Sequence, residues 1–258
     1  GINMTIKFNK LISMIFIFIT CLFCNGCDTR ERFNPIESGD FIYTTWFCDD
    51  GYCKIIGLTS EGKEKDTLVF PSMIDGLKVL TIGAKDGMIS NEQITITNAK
   101  NIYFPAGYIQ PQSIKYDYND NIDDINIYIG ESYGVSWTSA YYGDAIENSQ
   151  INFNIFVSDN YYTQYPTISD KNNINEKRGN ICYYLDEETT YFVDYVNEGK
   201  VNVIPPAPYK DGYEFMGWYK DLDCLIPFDF DSDIVVSNLN SEENHFNEIK
   251  IYAKWHIN

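Results

Sequence analysis

The chain has 258 residues, with 37 acidic side chains against 19 basic ones, and its net charge of −18 repels phosphate backbones and so excludes nucleic acid as a partner. A hydrophobic fraction of 44%, with 16% aromatic residues, supplies enough apolar surface for a packed core and excludes a disordered chain. No GxSxG, HExxH or P-loop occurs, and the two histidines, His245 and His256, stand near the end, so the residues suggest no catalytic set, no metal site and no cofactor.

At the front, Lys7 and Lys10 precede an apolar run from Leu11 to Phe23. Such a run is short of the ~20 residues that span a bilayer as a helix, and with its positive flank it reads as a secretory signal over residues 1–26. Met4 is then a candidate initiator. Loss of Lys7 and Lys10 with the signal takes the charge from −18 to −20. Gly26 before Cys27, at the edge of the apolar run, resembles a bacterial lipobox. That resemblance implies lipidation of Cys27, a membrane anchor at that residue and a tether over 27–40. Simple cleavage and release is the alternative.

Residues 41–47 and 54–56 are strand-like and flank the turn signal Asp49-Asp50-Gly51-Tyr52, which predicts a β-hairpin. Cys48 and Cys53 bracket that turn, and an oxidising compartment admits a cross-strand disulfide between them. Metal binding by the same pair lacks a second pair of ligands.

The next segment runs from Thr67-Leu68-Val69-Phe70-Pro71 to Val79-Leu80-Thr81-Ile82-Gly83 and resembles the opening of the BspA-type leucine-rich repeats of bacterial surface antigens. Similar strands recur at 101–105, 125–130 and 153–157. Counted from Leu68 to Ile102, Ile127 and Ile155, the offsets are 34, 25 and 28 residues. They bracket the leucine-rich period of ~20 to 29, with an insertion in the first interval. A unit of this size cannot bury its apolar face alone, so the strands must stack, with the hairpin as N-terminal cap. Between them, residues 132–143 form an aromatic, glycine-rich loop in which Tyr133, Trp137, Tyr141 and Tyr142 offer a stacking surface for a sugar or a protein, turn packing being the competing reading. Asp117, Asp120, Asp123 and Asp124 read as a polar loop.

Residues 159–180 are polar, contain Pro166 and lack apolar periodicity, and so read as a linker. Beyond it, 181–185 and 190–196 make a strand pair around Asp186-Glu187-Glu188. The chain then carries Gly212-Tyr213-Glu214-Phe215-Met216-Gly217-Trp218-Tyr219, Cys224, Pro227-Phe228-Asp229-Phe230 and a closing Ile251-Tyr252-Ala253-Lys254-Trp255. This order resembles the Listeria-Bacteroides repeat, or internalin B-repeat, of bacterial surface proteins, and implies a small β-grasp-like domain over 181–258 with a loop insertion between Asp231 and Glu248. Trp218 and Trp255 are expected in its core. Pairing of Cys182 with Cys224 stays open. Asp229, Asp231 and Asp233 alternate as calcium ligands can, but Ile234 occupies the position where an EF-hand needs glycine, so a solvated edge is the reading.

The expected fold is therefore mainly β: residues 41–158 as hairpin cap and short irregular leucine-rich-repeat solenoid, then the B-repeat domain. The expected function is that of an exported, membrane-anchored, non-enzymatic cell-surface lipoprotein acting in protein binding or adhesion. A carbohydrate-binding surface protein is one alternative and a divergent secreted hydrolase another. Its partner would be an unknown protein or glycan, sought first on the solenoid face and its loops.

Overall fold

A computed structural model describes residues 34–83, 94–107, 114–118, 124–131, 151–160, 174–236, 239–240, 245–246 and 248–258. The chain is mainly β, and Pro35–Asn258 form one compact unit. Its first part contains β1 (Ile36–Ser38), β2 (Phe41–Thr44), β3 (Tyr52–Leu58), the one-turn helix α1 (Ser60–Lys63), β4 (Thr67–Val69), β5 (Met73–Ile74) and β6 (Leu77–Ile82). There follow β7 (Ile94–Ile96), β8 (Asn101–Phe104), β9 (Ile114–Tyr116), β10 (Asp124–Ile129), β11 (Asn152–Val157) and β12 (Ile174–Arg178). The remainder holds β13 (Ile181–Tyr184), β14 (Thr190–Asp194), β15 (Glu198–Gly199), β16 (Tyr213–Tyr219), β17 (Val235–Val236), β18 (Leu239–Asn240), β19 (His245–Phe246) and β20 (Ile249–Ile257).

The N-terminal sheet has the order β1-β2-β3-β6-β5. The structure does not join Cys48 to Cys53 across the β2–β3 hairpin. Thr44 is opposite Lys54, so continuing the ladder would set Cys53 against Thr45. The chain instead turns away through Phe47, whose φ is 52°. Cys53 is buried in the core, and burial pushes its thiol up to about 12.

A second sheet, β12-β11-β10-β8-β4, is parallel throughout. Its register aligns Leu68, Ile102, Ile127 and Ile155 in one row, the residues from which the sequence offsets were counted. Because side chains alternate across a strand, that row and the row Phe70, Phe104, Ile129 and Val157 face one core. Phe41 meets Phe70 at 5.0 Å, and Phe70 stacks on Phe104 at 4.7 Å, which ties the N-terminal sheet to the ladder.

The opposite face carries two further rows. Asn126 donates to Asn101 at 3.0 Å, Asn154 to Asn126 at 3.0 Å and Asn175 to Asn154 at 3.5 Å, an amide ladder in strict register. Two residues along, Tyr103 stacks on Tyr128 at 4.2 Å and Tyr128 on Phe156 at 4.7 Å, with the Lys177 ammonium 5.6 Å from the last ring centre. Asn126→Ala removes one donor and one acceptor from the middle of the amide ladder. It should lower the urea midpoint by the equivalent of ~1–3 kcal/mol with an unchanged slope, whereas Asn175→Ala at the edge should cost less.

The segment expected as a linker ends in β12, the edge strand of this sheet. Asn175, Glu176, Lys177 and Arg178 conceal it, since only Ile174 is buried and backbone pairing to β11 needs no apolar side chain. The chain passes directly into β13. The C-terminal sheet has the order β14-β13-β20-β16, with β20 parallel to β13 and antiparallel to β16. Trp218 is buried there, and half-buried Trp255 donates its indole N–H to Leu185 O at 3.0 Å. The stretch between Asp231 and Glu248 holds β17, which pairs with β15, and the β18–β19 hairpin.

Candidate binding surface

Of the residues singled out in the sequence, Cys27 and the loop aromatics Tyr133, Trp137, Tyr141 and Tyr142 lie outside the described residues. Asp229 and Asp233 fold onto their own turn: Asp229 accepts from Asp231 N at 2.9 Å and Ser232 Oγ at 2.7 Å, while Asp233 accepts from Asp229 N at 2.8 Å and pairs with Lys220 at 2.5 Å. These contacts hold the Asp229 and Asp233 carboxyls below their usual range. Asp117 pairs with Lys115 at 2.6 Å. Cys182 is buried and Cys224 half-buried with φ 51°, and the two do not pair.

The exposed face expected on the parallel ladder is covered. Tyr103, Tyr128 and Phe156 are buried in a second core with Tyr183, Phe192, Val193 and Trp218 from the C-terminal sheet. Phe192 lies 5.3 Å from Tyr103 at 7° between ring planes, and Tyr195 meets Phe156 at 5.2 Å. The aromatic row of the ladder's second face is therefore internal, while Asn101, Asn126 and Asn175 beside it stay partly or fully exposed. The repeated Asn-Ile-aromatic order at 101–103, 126–128 and 154–156 was the available signal. A ring on an otherwise apolar strand reads as surface or core alike until a covering layer is known.

At the centre of this junction is Asp194, fully buried. Its carboxylate accepts from the Tyr103 hydroxyl at 3.0 Å, Tyr195 N at 2.8 Å, Asn202 N at 3.0 Å and Asn202 Nδ2 at 2.9 Å. Burial raises its pKa above the ordinary carboxylate value even against these four donors. Nearby, Asn180 donates to Val196 O at 2.6 Å and accepts from Val196 N at 2.9 Å. On the rim, Lys78 pairs with Asp211 at 2.8 Å and lies 4.0 Å from the Tyr209 ring centre, while Ser72 bonds Ala207 O and the Tyr191 hydroxyl. These groups fasten two layers together, which is a structural use of polar side chains.

The accessible feature lies along β16, the edge strand of the C-terminal sheet. A groove of about 450 Å³ is lined by Ile204, Met216, Trp218, Pro227, Phe228 and Phe230 among others. Asp221 shapes its wall by accepting from Leu225 N and Ile226 N, and Phe228 N donates to Trp218 O at 2.8 Å, which lays 226–228 along the edge of β16. Leu222, Leu225, Ile226 and Ile234, from the same loops, are exposed. The sequence placed the aromatics of this region in a core, and the exposed aliphatic residues between its acids were not singled out. A second, polar cleft of about 370 Å³ is lined by Asp159, Tyr184, Glu187, Glu188, Glu248 and Lys250. In it the Tyr184 hydroxyl and Asp159 N both donate to Glu248.

The geometry is that of a mainly β protein with an apolar groove on its C-terminal module. Residues 180–240 of that module match the family model of the Listeria-Bacteroides repeat domain. The match starts at the junction asparagine and runs through the groove. No curated protein and no solved structure matches the chain.

Proposed function

We propose that the chain is a non-enzymatic bacterial cell-surface lipoprotein that acts by binding protein, in adhesion or display. The observation that carries this reading is the Listeria-Bacteroides repeat match at 180–240, since such repeats occur in surface or extracellular proteins. The in-register row Leu68, Ile102, Ile127 and Ile155 supports reading 41–158 as a short leucine-rich-repeat solenoid, and the mixed sheet of β13, β14, β16 and β20 supports a β-grasp-like repeat domain. A binding role rather than a thiol chemistry is favoured because burial raises the pKa values of Cys53, Cys182 and Cys224, the reverse of what a nucleophile needs.

The anchor is assigned to Cys27. Expressed in a bacterium, the full chain should enter the detergent phase on phase partitioning, and Cys27→Ala should move it to the aqueous phase. A variant that stays in the detergent phase refutes the anchor. Residues 28–258, immobilised and exposed to cell-wall and host-surface fractions, should capture a protein saturably. Turnover of a substrate in activity profiling, with no such capture, would overturn the binding reading.

A further inference from the structure

We propose that the groove of the C-terminal sheet receives an extended segment of a partner protein whose aliphatic or aromatic side chains are flanked by lysine or arginine. This deepens, and rests on, the protein-binding reading above.

The lining gives the first half of that chemistry. Ile204 and Met216 are 66% and 51% exposed, and Trp218, Phe228 and Phe230 form the floor and wall beside them. Contiguous exposed apolar surface of this kind marks an interaction site more often than bare solvent exposure. Its lining side chains are almost entirely hydrocarbon, thioether and ring, which suits apolar side chains and offers little to the hydroxyls of a sugar. Strand addition is blocked along Trp218 to Lys220, because Phe228 N bonds Trp218 O and Lys220 N bonds Ile226 O. The segment therefore binds by inserting side chains.

The rim gives the second half. Residues 213–234 carry six carboxylates, Glu214, Asp221, Asp223, Asp229, Asp231 and Asp233, against one lysine, Lys220, which is paired with Asp233 at 2.5 Å; with Lys254 over the Tyr219 ring and Lys200 beside Asp229 included, the acids still outnumber the lysines two to one. A groove with an acidic rim attracts cationic flanks and repels acidic ones. A second copy of this chain is disfavoured on the same ground, since each copy brings a net charge of −18.

The test uses the chain from residue 28 onward, which contains the whole compact unit. Its probes are synthetic peptides with a Leu-Phe-Ile centre between lysine pairs, matched peptides with glutamate for lysine, and matched peptides with serine for the apolar centre. The lysine peptide should bind saturably, about tenfold or more tighter than either control, and more weakly as salt is raised. Met216→Asp and Ile204→Asp, both at exposed positions, should each lose about tenfold in affinity with an unchanged melting temperature. Phe47→Asp, at an exposed position in the N-terminal hairpin loop, should bind as the parent does. Equal binding of the glutamate peptide overturns the proposal, as does full affinity in the groove variants, or glycan binding that those variants abolish. If Met216→Asp still captures the cell-surface partner as the parent does, the groove assignment falls while the protein-binding reading stands.

Discussion

Gly130→Val should lose about 3–5 kcal/mol of folding stability, because the residue sits where the edge of the C-terminal sheet docks onto the ends of the parallel strands. A Cβ there would lie 2.1 Å from Tyr191 O and 2.6 Å from Ala106 N, both backbone atoms that cannot swing aside. Making room means parting Ala106 N from Tyr191 O, now 2.6 Å apart, and Glu131 N from Thr190 O, at 2.7 Å. Overpacking costs ~1–3 kcal/mol, and each buried hydrogen bond adds ~1. That is a large share of the ~5–15 kcal/mol that keeps a domain folded. Gly57→Ala is the matched control: its Cβ would meet Ile42 Cδ1 at an ordinary 3.4 Å and should cost under ~1 kcal/mol. Urea unfolding of both variants checks the pair. Equal midpoints would show that the two sheets do not meet at Gly130.

Tyr103→Ala should cost about 4–5 kcal/mol, since it empties a ring site that is 1% exposed and stacked between Tyr128 and Phe192. Tyr103→Phe keeps the ring and removes one of four donors to Asp194, for about 1–3 kcal/mol. This second penalty should depend on pH. The folded-state pKa of Asp194 is raised by burial, so the folded form holds its proton to higher pH than the unfolded chain does. The corresponding stability is present below the unfolded carboxylate pKa and is lost as pH rises through the folded one. Without the Tyr103 hydroxyl the carboxylate is less well solvated and its pKa rises further. The Tyr103→Phe penalty should therefore be largest at neutral pH, with Asp194 ionised, and shrink in acid. Acid loss from the depressed carboxyls of Asp211, Asp221 and Asp229 is common to parent and variant, so it cancels in the difference. A penalty that is the same at both pH values would mean Asp194 is not the partner that matters.

Much of the β organisation was legible because strand spacing is a local property. Leu68, Ile102, Ile127 and Ile155 recur within similar strand-like runs, and the parallel sheet pairs the same residues. The run from Tyr213 to Tyr219 and the closing strand announced themselves by aromatic density and are neighbours in one sheet. β12 was hidden because an edge strand pairs through its backbone and leaves Glu176 to Arg178 looking like linker. The register around the cysteine pair was illegible for a related reason. Four intervening residues fix a short loop, but register decides which side chains face each other, and β2 ends at Thr44.

By itself the sequence determined the strand content, the acidic character and the repeat-like C-terminal segment, all carried by residue type and short-range order. Only the tertiary structure decided which surfaces remain open. It closed the Tyr103–Tyr128–Phe156 face beneath the C-terminal sheet and left Ile204 and Met216 beside an open groove. The physical reason is that burial of a ring depends on what another layer brings to it. Contacts such as Gly130 with Tyr191, Tyr103 with Asp194 and Lys78 with Asp211 join residues 61, 91 and 133 positions apart, beyond the reach of any local pattern.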